Sequence, residues 1–309
     1  MSVLLYTHRA CLHHDPGPHH PECPDRLRAV LRALETEEFS DLLRDEAPQA
    51  TVEQLTRVHP ARHVEAILGI RPEPDDSVAL DADTVMNWGS AEAALRAAGA
   101  AVAGVDAACR GEARRVFCAT RPPGHHAEPA RPMGFCFFAN AAVAARHAQA
   151  AHGLARVAVV DFDVHHGNGT QACFEQDPTL FFASSHQSPC YPGTGAPEER
   201  GVGNVFNATL PPGADGAAFR AAWREALLPA LEAFGPELVI ISAGFDAHAR
   251  DPLAQLRVRE ADFAWLTTEI CHVADRHCGG RVVSLLEGGY DLDALASSAA
   301  AHVRALMHA

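Results

Sequence analysis

The 309-residue chain contains no lysine; all 25 of its basic side chains are arginine. That absence removes a P-loop lysine, a Schiff-base lysine and a Ser-Lys dyad from the chemistry available. Positive charge is also short overall, with 39 acidic side chains against those 25 and a formal net charge of −14. A surface of this sign disfavours binding to a phosphate backbone and suits a cationic or neutral substrate. The nine cysteines form no C-x-x-C pair and are odd in number, so a disulfide framework or a paired-cysteine metal site is not expected. No run of about 18 apolar residues exists to span a bilayer. Met1–Tyr6 carry neither a basic segment nor a cleavage site, so the expectation is a cytoplasmic chain with reduced cysteines and no membrane or nucleic-acid partner. Internal repeats and long low-complexity linkers are missing too, which predicts one domain over residues 1–309.

What is present is an alternation of short apolar runs with longer alanine-rich amphipathic stretches. Strands are predicted at Val3–Tyr6, Val116–Ala119, Val157–Phe162, Leu180–Ala183, Val205–Leu210, Leu238–Ser242 and Val282–Leu285. Helices are predicted near Asp25–Leu34, Ala91–Cys109, Asn140–Ala151, Ala217–Phe234, Glu260–His277 and Leu292–Met307. Continuously apolar strands separated by helices read as an α/β domain whose parallel sheet is covered on both faces. In such sheets the ligand site lies beyond the carboxyl ends of the strands. Four of those ends carry polar clusters: Arg121 to His126, Asp161 to Asn168, Ala243 to His248 and Glu287 to Tyr290.

Asp161, Asp163 and His165 are spaced by two, so on an extended segment they project to one side. With Asp246 from another strand end, Asp163 and His165 make an Asp-His-Asp set, three protein ligands with room for water, as in a catalytic zinc site. Aspartates after strands also serve as helix N-caps, and that use stays open for Asp246. His125-His126 follow a Pro-Pro-Gly turn and are candidates for a general base and its electrostatic partner. The chain has 19 histidines; His13-His14 and His19-His20, in a proline-rich loop, read as surface residues. His59 and His63 lack an accompanying acid, which argues against a metal. Tyr290, after two glycines, is a phenol on a turn that can reach a substrate oxygen.

Six motifs in order then resemble the zinc-dependent histone deacetylase family: Arg121-Pro-Pro-Gly-His-His-Ala, Gly134-Phe-Cys, Asp161-x-Asp-x-His-His-Gly-Asn-Gly-Thr, Tyr191-Pro-Gly-Thr-Gly, Ser242-Ala-Gly-Phe-Asp and Leu286-Glu-Gly-Gly-Tyr. The resemblance implies a single-domain arginase/deacetylase fold, with a central parallel sheet flanked by helices and a narrow tube leading to zinc. It implies Asp163, His165 and Asp246 as zinc ligands and His125 and His126 as catalytic histidines. Tyr290 would polarise the acyl carbonyl, Asp161 would orient His125, and Asn168 would face His126 where some members have aspartate. Gly134, Phe135 and Tyr191 would wall the tube, with Leu253 and Trp88 at its rim. Structural potassium would sit at Asp161 and Ser184, and a second ion at backbone oxygens near Phe174, Asp177 and Leu180. The implied reaction is hydrolysis of acetyl-lysine or a related N-acyl amine.

Two rivals share these residues. A dinuclear ureohydrolase needs a carboxylate two residues after His165, where this chain has Gly167. An idle binding protein would be marked by loss of Tyr290 or a ligand, and all are present. An acetylpolyamine or other small N-acyl amide remains the alternative substrate. Leu253 resembles the residue of lysine deacetylases, whereas a glutamate there would suit a distal ammonium.

Overall fold

Valine-, isoleucine- and leucine-rich runs with no polar alternation become strands that are buried on both faces. In the computed structural model, which describes residues 3–309, the strands are β1 (Val3–Thr7), β2 (Leu43–Glu46), a short antiparallel pair β3 (Val78–Ala79) and β4 (Val85–Met86), β5 (Arg115–Cys118), β6 (Val157–Asp161), β7 (Leu180–Gln187), β8 (Val205–Leu210), β9 (Leu238–Ala243) and β10 (Val282–Leu286). Eight of them form one sheet in the order β2-β1-β5-β10-β9-β6-β7-β8. Every pairing in it is parallel. All seven expected strands occur. Strand β2 was not anticipated, because its sequence Leu-Arg-Asp-Glu is charged and exposed; such residues suit a sheet edge, where they discourage further pairing.

Helices cover both faces. They are α1 (Pro24–Ala33), α2 (Val52–Thr56), α3 (Ala61–Gly69), α4 (Ser90–Arg110), α5 (Asn140–His152), α6 (Asn168–Phe174), α7 (Gly216–Ala222), α8 (Leu228–Phe234), α9 (Glu260–Cys278) and α10 (Leu292–His308). The single helix expected over 217–234 is interrupted. Pro229 offers no N–H, and the turn before it, Trp223–Leu227, widens to a π-helical turn. One core joins Phe162, Phe219, Trp223, Phe245 and Phe263 on the α7–α10 side of the sheet, and a second is built largely from alanines of α4 and α5. No described helix is long and apolar enough to cross a membrane.

Strand order decides where chemistry gathers. Strands β5, β10, β9 and β6 are adjacent in the sheet yet distant in the chain. Their carboxyl ends are the four polar clusters, so the topology converts four separate sequence signals into one neighbourhood.

Alanine-rich α4 lies close to its surroundings, and Gly99 marks the tightest point. A Cβ there would strike the Pro48 carbonyl and come within 2.6 Å of Ala50 N. Alanine raises helix propensity by about 1 kcal/mol over glycine, but overpacking against backbone costs up to ~3 kcal/mol or more. Gly99→Ala is therefore expected to lower the thermal unfolding midpoint; an unchanged or higher midpoint would show that the 48–50 segment yields freely.

Candidate active site

The loop after β5 is fixed from two sides. Glu287 Oε2, beyond β10, accepts the N–H groups of Gly124 (2.7 Å) and His125 (3.2 Å). The His125 carbonyl accepts from Gly169 N (3.0 Å) and Thr170 N (3.2 Å), in the first turn of α6. Two histidine rings are thereby held with centroids 3.9 Å apart. His125 Nδ1 pairs with Asp161 Oδ2 at 3.0 Å, and His126 Nδ1 with Asn168 Oδ1 at 2.8 Å.

Next to this pair lies the carboxylate cluster. Asp163, His165 and Asp246 are all buried, and one ligating atom from each lies within 4.8 Å of the others. His165 Nδ1 is 3.1 Å from Asp163 Oδ1 and 3.1 Å from Asp246 Oδ2. The remaining carboxylate oxygens accept backbone hydrogens, Asp163 Oδ2 from Gly288 N (2.8 Å) and Asp246 Oδ1 from Val164 N (2.8 Å). Backbone closes in around them: a Cβ on Gly288 would collide with both Asp246 and Asp163, and one on Gly244 with Asp163. Burial and the Asp163 charge push Asp246 up to about 7. Two mutually repelling carboxylates and an imidazole, enclosed together, are a donor set that fits one divalent cation. Gly167, where a dinuclear enzyme needs a carboxylate, has no room for one, since its Cβ would meet Asp161 Oδ2.

A cavity of roughly 240 Å³ opens above the cluster. His126, His165 and Tyr290 line it together with Gly134, Phe135 and Tyr191, while Asp83 and Leu253 complete the lining. Phe135 takes a left-handed backbone (φ 69°) directly after Gly134 (φ 57°), a conformation uncommon for a bulky residue. It is held by its N–H to Thr84 Oγ1 (3.1 Å) and by the His20 ring, edge-on at 4.8 Å. Tyr290 packs edge-on to Phe135 at 6.0 Å, and the Arg26 guanidinium lies 4.8 Å from its ring centroid. Burial raises the Tyr290 phenol well above its ordinary range, so it keeps its proton. Burial, with the neighbouring His125 and His165, holds His126 well below the ordinary histidine value.

The structure brings together His125, His126, Asp161, Asp163, His165, Asn168, Asp246 and Tyr290, as the motifs led one to expect. His166, the adjacent histidine, faces elsewhere, pairing with Thr194 Oγ1 (2.8 Å) and Gln171 Oε1 (2.8 Å). Ser184 stands opposite Asp161 in the β6–β7 register, with its hydroxyl 2.9 Å from His186 Nδ1.

Several expectations need correction. Trp88 is not part of the pocket lining. Asn87 Nδ2 donates to the His13 carbonyl (2.8 Å), and Trp88 then stacks against the His13 ring at 5.1 Å, beside a separate cavity. The carbonyls of Phe174, Asp177 and Leu180 do converge, but on Asn204 Nδ2 at 2.9, 2.9 and 2.7 Å. A side-chain amide occupies the centre where a second potassium was expected. His14 is a buried residue rather than a surface one, 2.7 Å from Ser90 Oγ and 3.2 Å from Glu22 Oε2. His59 and His63 stack at 4.7 Å and pair with the carbonyls of Pro129 and Phe137, a satisfied core pair. A second ligand-like group, Asp106 with His147 and His152, reads as a hydrogen-bond cluster. Arg57, which can only donate, is 2.8 Å from His147 Nδ1, leaving Nε2–H to donate to Asp106 Oδ1.

Sequence reasoning missed the supports. Arg121 and Arg26 are fully buried and grip Glu22, with Arg121 Nη2 2.5 Å from Oε2 and Arg26 Nη1 2.9 Å from Oε1. Arg26 also donates to the carbonyls of Glu287 and Gly289, in the Glu-Gly-Gly segment that leads into Tyr290. Asp251 accepts the Tyr290 N–H (2.7 Å) and the Leu253 N–H (3.0 Å). Glu128 accepts from the Asn168 amide at 2.9 Å. Of these only Arg121 stood in a quoted motif, and no pattern in the chain marks an arginine as buried.

Comparison with known proteins agrees with this geometry. A family model described as the histone deacetylase domain matches residues 20–306. Histone deacetylase 14, chloroplastic, of Arabidopsis thaliana is 40% identical, over 98% of this chain and 76% of that protein. The histone deacetylase-like amidohydrolase of Pseudomonas aeruginosa is 41% identical, over 93% of this chain and 81% of its own. The crystal structure of the HDA15 HD domain superposes with a TM-score of 0.92 at 37% identity, covering 99% of this chain and 88% of that one. The sheet is that of the arginase/deacetylase fold. On sequence and fold alike, this chain belongs to the histone deacetylase family and is a hydrolase of the deacetylase type.

Proposed function

We propose that residues 1–309 form one zinc-dependent deacetylase domain that hydrolyses the acetyl amide of N-acetyl-lysine side chains. One observation carries the reading: a pocket walled by Phe135 and Tyr191 ends on His126, His165 and Tyr290, beside the Asp163–His165–Asp246 set. Apolar walls suit the methylene stem of the substrate, and the polar end meets its amide. Asp163, His165 and Asp246 would hold the zinc, which when bound supplies a Lewis acid and an activated water. A potassium ion is proposed at Asp161 and Ser184, where it would offset part of a buried carboxylate charge.

The chain's own residues account for the rest. His126, facing the pocket, takes a proton as water adds to the acyl carbonyl and returns one to the amine nitrogen as the C–N bond breaks. A carboxylate and a free amine leave. His125, paired directly with Asp161, holds positive charge beside that transfer. The Tyr290 phenol donates to the carbonyl oxygen as negative charge builds on it. Arg26 and Asp251 hold the backbone around Tyr290, so this donor is in place before substrate arrives.

A second reading, an acetylpolyamine substrate, draws support from Asp83, an acidic residue among those lining the pocket. Leu253 lines it too and brings no charge, so the lysine reading is preferred. An acetyl-lysine peptide is expected to show a higher kcat/KM than acetylspermidine, and Leu253→Glu to shift the ratio toward the polyamine. Rapid turnover of acetylspermidine with none of the peptide would move the assignment to the second reading.

Two further outcomes are expected. Asp246→Ala should lose bound zinc by metal analysis and nearly all activity, whereas full activity with one zinc per chain would remove Asp246 from the ligand set. Tyr290→Phe should keep fold and metal but lower kcat by about 10²–10³; a change confined to KM would make Tyr290 a substrate contact only.

A further inference from the structure

We propose that Glu128 is a positioning residue for His126, acting through Asn168 to decide which ring nitrogen carries the proton. The inference deepens the proposed function and rests on its assignment of proton transfer to His126.

An asparagine amide is nearly symmetric in shape and opposite in hydrogen-bond sense at its two ends. Were Asn168 to turn its Nδ2 toward His126, the ring nitrogen Nδ1 would have to accept. The proton would then sit on Nε2 and the pocket would face a donor, not a base. With Oδ1 toward the ring, Nδ1 donates and Nε2 keeps its lone pair. His126 Nδ1 is 2.8 Å from Asn168 Oδ1, and Asn168 alone cannot enforce that orientation.

Glu128 can. Its Oε1 lies 2.9 Å from Asn168 Nδ2, and an ionised carboxylate only accepts, so it admits only the amide hydrogens. The Met133 sulfur, 3.4 Å from the same nitrogen, is a further acceptor. Flipping the amide would set its carbonyl oxygen against both.

The carboxylate is itself placed. Glu128 N donates to Arg131 O (3.0 Å) and Arg131 N to Glu128 O (3.4 Å), closing a tight turn whose Pro129 carbonyl is paired with His59 at 2.9 Å. Glu128 stands two residues after His126, on a loop pressed against the start of α6, where a Cβ on Gly169 would strike the Ala127 carbonyl. The two histidines are thus oriented differently. His125 meets the Asp161 carboxylate directly, whereas His126 is oriented by a carboxylate one amide removed, without a full negative charge against its ring.

The test is a double-mutant cycle with Asn168→Asp, whose carboxylate accepts from either oxygen and needs no orienting partner. Glu128→Ala should lower kcat about 10-fold with KM nearly unchanged. In the Asn168→Asp background the two carboxylates would face each other, so the same substitution removes a repulsion and should bring no loss of kcat. Glu128→Gln, whose amide can donate as readily as accept, no longer forbids the flipped Asn168 and should lower kcat nearly as much as Glu128→Ala. Nitrogen-15 NMR of histidine-labelled protein should show His126 protonated at Nδ1 in the wild type, mixed in Glu128→Ala and restored in the double variant. Equal losses in both backgrounds would make Glu128 a support for its turn and overturn the proposal, as would an unchanged His126 tautomer in Glu128→Ala. Because the NMR readout needs no turnover, a wild-type protein inactive on acetylated amines would overturn the proposed function while leaving this assignment to be decided separately.

Discussion

Three carboxylates, Asp161, Asp163 and Asp246, are buried together at the ends of β6 and β9, and the surrounding structure is organised by what that demands. An isolated ionised carboxylate in a protein interior is strongly unfavourable, so each oxygen must meet a donor or a cation. The fold supplies backbone N–H groups from Gly288, Val164 and His165, and the ring nitrogens of His125 and His165. It keeps glycine at positions 167, 244 and 288, because any Cβ there would occupy space the carboxylates need. Negative charge gathered so closely is also what makes the group a receptor for a divalent ion.

A second buried charge system lies beneath the first and connects it to the substrate pocket. Glu22, from the loop before α1, is clasped by Arg26 and Arg121, and Arg121 also binds the carbonyls of Cys11 and His14. Through Arg26 the same network holds the backbone leading into Tyr290. Removing one partner of such a network leaves its counterpart charged and buried, typically the most damaging change available to a core. The catalytic end of the pocket is therefore rigidly framed. Its mouth is not: Leu253, Asp83 and Tyr191 are partly exposed side chains on loops, which tolerate exchange more readily than the frame does.

The two histidines show how such a frame divides labour between adjacent residues of like type. Both are buried, both are held from Nδ1, and their rings nearly touch. Carboxylates beside His125 outweigh the cost of burial and push it up to about 10, while burial and the His125 and His165 rings hold His126 well below its ordinary value. One ring is thus disposed to carry charge and the other to accept a proton.

The sequence by itself determined the strand and helix alternation, the parallel sheet, and the family's site residues. The first two follow from local rules, the apolar period and the turn-forming residues; the site residues were singled out by motifs that resemble the family's, helped by side chains at i and i+2 sharing one side of an extended segment. Tertiary structure alone decided which way the remaining polar groups face. Nothing near Asn204 in the chain shows that its amide meets three carbonyls from residues 174, 177 and 180, or that Asn87 turns Trp88 onto His13 and away from the pocket. Nor does the sequence show Glu128 reaching Asn168, forty positions on, or two arginines buried against Glu22. A buried polar group must find a partner, but its partner is set by which chain segments the sheet order brings side by side, and that order is a property of the whole fold.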